Sequence, residues 1–274
     1  MKINANRLEI LNSQEIVSRI SSKWAGQNIV FLEETGSTNV DAKMLAEQGA
    51  VHGTLVVADS QREGKGRRGR SWHSPKGSAI AMSLILKPQL EAEKASMLTL
   101  VQALAVAKAL EELSKWKPQI KWPNDILIHE KKVCGILTEM YLDKTEISSI
   151  IIGCGINVNQ EHFPQEIAQI ATSLKIELGQ EQSRLKLISR VCELFEEYFE
   201  KFMETKDFSQ MSEEYNEFLI SKGRQVKVLD PKGEFTGEAL GVNACGELLV
   251  KRADGETVNV YAGEVSVRGI YGYV

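Results

Sequence analysis

The feature that most constrains the fold of this chain is a change in sequence pattern close to residue 221. After Gly223, five short runs with alternating apolar residues follow one another, and between them stand turn residues such as Pro231, Gly233, Gly246 and Asp254-Gly255. Five short strands within about 50 residues are typical of a small antiparallel barrel. The sequence therefore predicts two domains, covering residues 1–221 and 222–274.

The first of these domains mixes helical and strand patterns. Apolar residues at helical spacing predict helices over residues 13–24 (with an N-cap at Ser13), 40–49, 95–113, 185–205 and 211–219. Continuous or alternating apolar runs predict strands over residues 28–33, 54–58, 78–86, 126–129, 133–141 and 148–159. Two of these strands would form a hairpin that turns near Glu130. We therefore expect an α+β domain in which helices flank a mixed β-sheet.

Composition narrows the class of partner. The chain has 33 basic and 37 acidic residues, a net charge of −4, so nothing attracts it as a whole to nucleic acid or to an anionic membrane. Residues 97–110, the most apolar long stretch, are too short to span a bilayer. No C-x-x-C pair occurs, and the first residues lack the apolar core of a signal peptide. A cytoplasmic protein is expected, with four scattered cysteines: Cys134, Cys154, Cys192 and Cys245.

The strongest local signal is the basic, glycine-rich segment GKGRRGR at residues 64–70. Its glycines allow several backbone N–H groups to converge on one point, and its four cationic side chains are suited to binding a phosphate or a carboxylate. The segment is neither a Walker A loop nor a Rossmann fingerprint. Taken alone, it fits a solvated basic loop or a nucleic-acid patch equally well.

Weaker signals lie elsewhere in the chain. Gly-Ser-Thr-Asn at residues 36–39 is either an ordinary helix cap or a loop that binds a small polar ligand. Lys-Trp-Pro-Asn-Asp at residues 121–125 is either a proline turn or a rigid mount for a lysine and a carboxylate. In a strand, Lys131 and Lys132 would point to opposite sides, and the inward one would need an anionic partner. The four histidines are scattered, and no metal site is predicted.

Together these segments resemble the biotin protein ligase family. The order and spacing carry the resemblance: GSTN at 36–39, GKGRRGR at 64–70 with Trp72 behind it, KWPND at 121–125, KKVCGIL at 131–137 and GCGIN at 153–157. The resemblance runs from about residue 29 to the C-terminus and implies a mixed sheet with flanking helices, followed by an SH3-like barrel. It also implies two reactions. Biotin and MgATP give biotinyl-5′-AMP and pyrophosphate, and biotin then passes to a lysine of a biotin carboxyl carrier domain.

The resemblance further implies roles for individual residues. Those implied to bind biotin are Ser37, Thr38, Asn39, Gln61, Lys65, Gly66, Arg67, Lys132, Gly135, Gly153 and Gly155. Those implied to bind ATP or the adenylate are Gly64, Arg68, Arg70, Trp72, Asn124 and Asn157. Lys132, Arg67, Asp125 and Lys121 are the implied catalytic residues. In detail, Thr38 and Gln61 would bond the ureido head, Trp72 would stack near the adenine, and Asp125 would orient or deprotonate the acceptor lysine.

Two expectations concern partners. Some members of the family carry an N-terminal winged-helix domain and repress transcription, and the 28 residues before Ile29 are too few for that module. A ligase that does not bind DNA is therefore expected, and pairing through the central sheet, as in relatives, would make it a homodimer. One alternative is a lipoate or octanoate ligase, but the polar GSTN loop and Gln61 favour a ligand with a polar ring. The other alternative is a nucleic-acid-binding regulator, against which the net negative charge argues.

Overall fold

A computed structural model describes residues 11–114, 116–230, 233–262 and 266–269. The helices are α1 (Ser13–Val17), α2 (Thr38–Glu47), α3 (Leu98–Ser114), α4 (Leu174–Leu178), α5 (Arg184–Thr205) and α6 (Ser212–Phe218), with short 3-10 helices at Arg67–Gly69 and Ala92–Met97. The first seven strands are β1 (Asn28–Leu32), β2 (Thr54–Ala58), β3 (Ala79–Leu86), β4 (Gln119–Lys121), β5 (Asp125–Ile128), β6 (Lys131–Asp143) and β7 (Glu146–Asn157). The last five are β8 (Gln225–Leu229), β9 (Phe235–Val242), β10 (Leu248–Lys251), β11 (Thr257–Val260) and β12 (Ser266–Gly269).

The first seven strands form one mixed sheet in the order β1-β2-β3-β7-β6-β5-β4. Strands β1 and β2 are parallel, and every other neighbouring pair is antiparallel. Helix α2 packs on β2, β3 and β7 over a small apolar cluster around Ala42, Val56, Ile85 and Ile151. Helices α3 and α5 cover the main core on the other face of the sheet. This arrangement confirms the predicted α+β domain with flanking helices.

Strand alternation gives the sheet two chemically different faces. In β3 and β7, the apolar residues Ile80, Leu84, Ile152 and Ile156 point into the main core beneath α3 and α5. The residues between them, which face the α2 side, include small and polar ones: Ala81, Ser83, Gly153, Gly155 and Asn157. A patch of the α2 face is thus left without bulky side chains.

The last five strands form a separate antiparallel sheet in the order β11-β10-β9-β8-β12. Its buried residues, among them Val226, Val228 and Leu248, belong to the same hydrophobic cluster as the main core. Within the residues described, no pairing joins β11 to β12, so the antiparallel strands are confirmed and the closed barrel is not observed. Pro231 and the first residues of the predicted final run lie outside the described part, and the boundary at residue 221 stays a prediction.

Three predicted helices have bounds that differ from the observed ones by two residues or more. Helix α1 has its N-cap at Asn12, whose Oδ1 accepts a hydrogen bond from Glu15 N at 2.9 Å, and it ends at Val17 rather than near residue 24. The chain leaves the helix because the N–H groups of residues 23–25 donate to the buried carboxylate of Glu196.

The other two corrections concern helix starts. Helix α3 begins at Leu98 instead of residue 95, since residues 92–97 form a 3-10 helix. Helix α2 begins at Thr38, two residues earlier than predicted, so that Thr38 and Asn39 lie in its first turn.

Candidate active site

Strand register builds the floor of the site from small residues. Ala81, Gly155 and Gly135 lie side by side on β3, β7 and β6, and the next row begins with Ser83 and Gly153. A Cβ built on Gly155 would overlap the indole of Trp72, and one built on Gly153 would overlap the side-chain amide of Asn39. One built on Gly135 would press on the end of the Lys132 side chain and on the Trp72 ring. The three glycines therefore allow side chains above the sheet to lie directly on its backbone.

The start of α2 supplies hydrogen-bonding groups above this floor. Ser37 occupies the N-cap position, but its hydroxyl makes no capping hydrogen bond. Gln61 Oε1 accepts from Thr38 N at 2.8 Å and lies 3.0 Å from Thr38 Oγ1. Ser83 Oγ lies 2.8 Å from Thr38 Oγ1 and 2.6 Å from Asn39 Oδ1. The reading of residues 36–39 as a mere cap does not explain this buried polar group.

The glycine-rich segment folds into a tight turn over the floor. Gly66 N donates to Arg70 O at 2.7 Å, and Trp72 N donates to Gly64 O at 2.7 Å. Arg68 has a φ of 59°, a left-handed conformation that costs a side-chain-bearing residue free energy. The side chains of Lys65, Arg68 and Arg70 are exposed, whereas that of Trp72 points down onto the floor.

Arg67 is the member of this segment that turns inward. Its NH1 donates to Asn124 Oδ1 at 2.7 Å, and its NH2 donates to Ala262 O at 3.2 Å. Burial lowers its pKa, while nearby Asp125 acts in the opposite direction. The side chain remains charged at neutral pH because arginine loses its proton only above about pH 12. A wholly solvated basic loop is therefore not what the structure shows.

Lys132 and Asp125 form the ion pair that alternation in β6 predicted. Lys132 Nζ lies 2.7 Å from Asp125 Oδ1, which also accepts from Asn124 Nδ2 at 3.0 Å. The Lys132 ammonium is also 5.3 Å from the centre of the Trp72 ring, within the range of a cation–π interaction. Lys131 is exposed. The inward lysine thus has the anionic partner that burial demands.

Lys121 lies on the other side of Asp125. Burial lowers the pKa of its ammonium to about 8, with Asp125 acting against this shift and Arg268, Lys132 and Arg70 adding to it. These residues come from β4, β12, β6 and the glycine-rich segment, so the fold concentrates positive charge around a single carboxylate. Such a cluster favours binding of a polyanion.

Two adjoining cavities occupy this region. The inner cavity, of about 40 Å³, is lined by Ser37, Thr38, Asn39, Gln61, Lys65, Gly135, Gly153 and Gly155, among others. The outer cavity, of about 190 Å³, is lined by Arg68, Arg70, Lys121, Asp125, Asn157 and Arg268, among others. Gly66, Arg67, Trp72, Asn124 and Lys132 line both. Except for Gly64, which lies buried beside them under Trp72, every predicted site residue lines one of the two cavities.

Some contributions were missed by sequence reasoning. Ser83 and Glu139 hold the first turn of α2, and Arg268 reaches the site from the C-terminal sheet. The sequence could have indicated Ser83, because it is the single polar residue in the otherwise apolar strand AIAMSLIL. Asn157 lines the outer cavity, yet its amide donates to Thr172 O at 3.0 Å and accepts from Gln160. Its predicted contact with the adenylate stays a prediction.

Among the residues that the structure describes, no cluster of three or more His, Cys, Asp or Glu side chains could hold a metal ion. None of the helices in this part of the chain has the length and apolar character needed to cross a membrane.

Comparison with known proteins defines the class of this site. Residues 31–157 match the Biotin/lipoate A/B protein ligase family, and residues 223–268 match the Biotin protein ligase C terminal domain. The chain is 38% identical to the bifunctional ligase/repressor BirA of Bacillus subtilis over 94% of its own length and 79% of that protein. It is 30% identical to the biotin–[acetyl-CoA-carboxylase] ligase of Mycobacterium tuberculosis, over 89% of this chain and 90% of the relative.

A solved structure agrees with these matches. The biotin protein ligase of Aquifex aeolicus, in complex with biotin and ATP, superposes with a TM-score of 0.78 at 34% identity, over 89% of this chain and 99% of that one. Fold and site together define an enzyme of the ligase class. Within that class, the chain belongs to the biotin protein ligase family.

Proposed function

We propose that this enzyme forms biotinyl-5′-AMP from biotin and MgATP and then transfers biotin to a lysine of a biotin carboxyl carrier domain. The observation that carries the proposal is the continuity of the two cavities. The inner one ends in hydroxyl and amide groups suited to a polar ring, and the outer one is lined by cations suited to phosphates. Lys132 and Arg67 line both, at the junction where a carboxylate would meet the phosphate chain.

The first step joins two anions. A carboxylate oxygen of biotin attacks the α-phosphorus of ATP, the bond to the β-phosphate breaks, and pyrophosphate leaves with the electron pair. Lys132 and Arg67 offset the repulsion between the reactants and the charge that develops at phosphorus, and the magnesium ion that arrives with ATP adds to this effect. Lys121, Arg70 and Arg268 would hold the leaving pyrophosphate. Trp72 and the loop around it would keep water from the reactive anhydride.

The second step needs a neutral amine. The acceptor lysine attacks the acyl carbon, an amide forms, and AMP leaves as the acyl–oxygen bond breaks. Asp125 is 8% exposed and lines the outer cavity beside Lys132, so it can orient the amine and take its proton. We expect Asp125→Asn to slow transfer from preformed biotinyl-5′-AMP roughly 100-fold. An unchanged transfer rate would remove Asp125 from this role.

The free edge of β6 is the surface that we propose for protein partners. Strand β5 pairs with β6 only as far as Gly135, and no other described strand pairs with that edge up to Asp143. Met140 and Leu142, on this stretch, are 38% and 49% exposed. An unpaired edge with apolar residues next to the active site suits a carrier domain or a second copy of the chain. We propose both uses, and a closed SH3-like barrel for the C-terminal sheet.

The remaining proposals follow from the family and the composition. We place the enzyme in the cytoplasm, since the cysteines Cys134, Cys154, Cys192 and Cys245 are free thiols. We propose that it does not bind DNA, since the net charge is negative and Arg67 of the basic segment is turned into the protein.

Exchange of labelled pyrophosphate into ATP tests the proposed substrate. The inner cavity ends in Thr38, Asn39 and Gln61, with Ser83 bonded behind them, and this polar end favours the ureido ring of biotin over the dithiolane of lipoate. We expect exchange to require biotin and to remain at background with lipoate. Exchange with lipoate alone would assign the chain to the other branch of the wider biotin/lipoate family.

A further inference from the structure

The hydrogen bonds at the closed end of the inner cavity form a chain. This chain ends at the carboxylate of Glu139, which lies outside the sequence motifs that carry the family resemblance. Glu139 Oε2 accepts from Asn39 Nδ2 at 2.6 Å. Asn39 Oδ1 lies 2.6 Å from Ser83 Oγ, which lies 2.8 Å from Thr38 Oγ1. Thr38 Oγ1 lies 3.0 Å from Gln61 Oε1. Glu139 therefore connects to the groups that line the cavity, although Asn39 stands between it and the cavity.

The carboxylate fixes the direction of the hydrogen bonds at Asn39 and Ser83. An ionised carboxylate only accepts, so Asn39 must present its NH₂ to Glu139 and its oxygen to Ser83. Ser83 has a single proton, which must go to Asn39 Oδ1, because that oxygen cannot donate. Thr38 also has a single proton, and two protein oxygens lie within reach of it: Gln61 Oε1 at 3.0 Å and Ser83 Oγ at 2.8 Å.

The surroundings of Glu139 hold the carboxylate in place. Tyr141 hydrogen bonds to it and lies two residues along the same face of β6. The backbone of Gly153 lies directly beneath the Asn39 amide, so the amide has no room to move away from the sheet. The direction set at Glu139 is thus passed on through a tightly packed and buried group, since Ser83 is 0% exposed.

This direction determines what the cavity offers a ligand. Thr38 donates its single proton within the protein, and Asn39 turns its NH₂ group away toward Glu139. Thr38 Oγ1 and Asn39 Oδ1 can therefore offer a ligand only lone pairs. Gln61 Oε1 accepts from Thr38 N and keeps a second lone pair. Such an arrangement binds N–H donors and repels an oxygen placed at the same position.

We propose that Glu139 is a specificity-determining positioning residue. It orients the chain through Asn39 and Ser83 so that the cavity selects a ring that carries N–H donors, as the ureido ring of biotin does. The inference rests on the proposed function and deepens it. Glu139 acts through Asn39 and has no part in the chemistry of the reacting atoms.

Glu139→Gln tests the inference, because the new amide has the same shape and can either donate or accept. Asn39 is then free to turn over and offer its NH₂ to the cavity. The test ligands are biotin and its carbamate analogue, in which oxygen replaces one ureido N–H, with affinities measured by isothermal titration calorimetry. We expect biotin affinity to fall roughly 10- to 100-fold while affinity for the analogue changes little, so that the discrimination largely disappears.

Controls separate this role from a general structural one. Glu47→Gln makes the same charge change on α2, where Glu47 forms an exposed ion pair with Lys43, and should alter neither affinity. The KM for ATP should stay unchanged in Glu139→Gln. Ser83→Ala interrupts the chain one step later and leaves Gln61 Oε1 as the remaining partner of the Thr38 proton, for which a ligand oxygen can then compete, so it should also reduce the discrimination.

Four outcomes would contradict one claim or the other. Equal losses for biotin and the analogue would make Glu139 merely structural, and an unchanged biotin affinity would remove its role altogether. If the Glu139→Gln protein does not fold, Ser83→Ala becomes the deciding variant. A Ser83→Ala protein that still discriminates between biotin and the analogue would overturn the inference. A natural chain that binds no biotin would instead overturn the proposed function on which the inference rests.

Discussion

The two neighbouring lysines Lys131 and Lys132 show how position, rather than residue type, decides a role. Lys131 is exposed, whereas Lys132 is 23% exposed in its side chain and is held by Asp125 and by the ring of Trp72. Alternation along β6 predicted that one of them would point inward and need a carboxylate. It did not predict which carboxylate, because Asp125 reaches Lys132 only after β5 and β6 pair with a bulge between Ile126 and Leu127.

Lys132→Ala should abolish most adenylate formation, by roughly 100-fold or more, because it removes positive charge from the point where two anions meet. The loss is measured as pyrophosphate exchange at saturating biotin and ATP. Lys131→Ala is the matched control and should leave exchange within about twofold. Near-normal exchange in Lys132→Ala would contradict its assignment.

The lowered pKa of Lys121, about 8, predicts a pH dependence for ATP use. The ammonium is present below that pH and is lost as the pH rises through it, so attraction for phosphate should weaken above about pH 8. We expect kcat/KM for ATP, which reports on the free enzyme, to fall between about pH 7 and about pH 9. Lys121→Arg keeps its charge over this range and should flatten the profile. An equally steep profile in that variant would assign the fall to another group.

At the scale of secondary-structure elements, the sequence predicts most of the strands but not which strands pair with one another. The apolar run at residues 54–58 became β2 with the same bounds, because a short apolar run rich in β-branched residues favours a buried strand. The floor of the site depends instead on register, which sets Gly135 opposite Gly155 across β6 and β7. A single strand carries no information about its register with another, so the contact between Trp72 and these glycines lay outside the reach of sequence reasoning.

The glycine-rich segment should become protected when the adenylate forms. Its backbone is held by few hydrogen bonds, and Lys65, Arg68 and Arg70 are exposed to trypsin. Biotin is larger than the inner cavity, and the indole of Trp72 lies over its floor, so ligand entry requires the segment to shift and then close. We expect cleavage here to slow at least tenfold with biotin and MgATP.

Cleavage after Lys144, in the turn between β6 and β7, serves as an internal control and should keep its rate. The fragments are followed by mass spectrometry over time. Equal cleavage of the glycine-rich segment with and without ligands would contradict the proposed ordering.

At the scale of the whole molecule, the site is shared between the two sheets. Ala262 accepts a hydrogen bond from Arg67, Trp122 donates to Gly246 O at 3.2 Å, and Arg268 lines the outer cavity. The change in pattern at residue 221 predicted a second unit of short strands, and the family resemblance left its role open. No local sequence pattern marks Arg268 as a site residue, because it joins the site only where β12 comes close to the end of β4 that carries Lys121.

Arg268→Ala should raise the KM for ATP roughly tenfold and leave biotin affinity nearly unchanged, since the side chain lines only the phosphate end of the site. Steady-state exchange kinetics with each substrate varied in turn give both values. Lys251→Ala, which removes an exposed cation from β10 of the same unit, should change neither. A rise in the KM for biotin alone would contradict the placement of ATP in the outer cavity.

The central claim is that this chain activates biotin and transfers it to a carrier. The most direct measurement is the intact mass of a biotin carboxyl carrier domain after incubation with the purified protein, biotin and MgATP. We predict the addition of one biotin to the carrier, dependent on ATP and lost in Lys132→Ala. A carrier of unchanged mass, with no biotinyl-5′-AMP formed by the folded natural chain, would contradict the account.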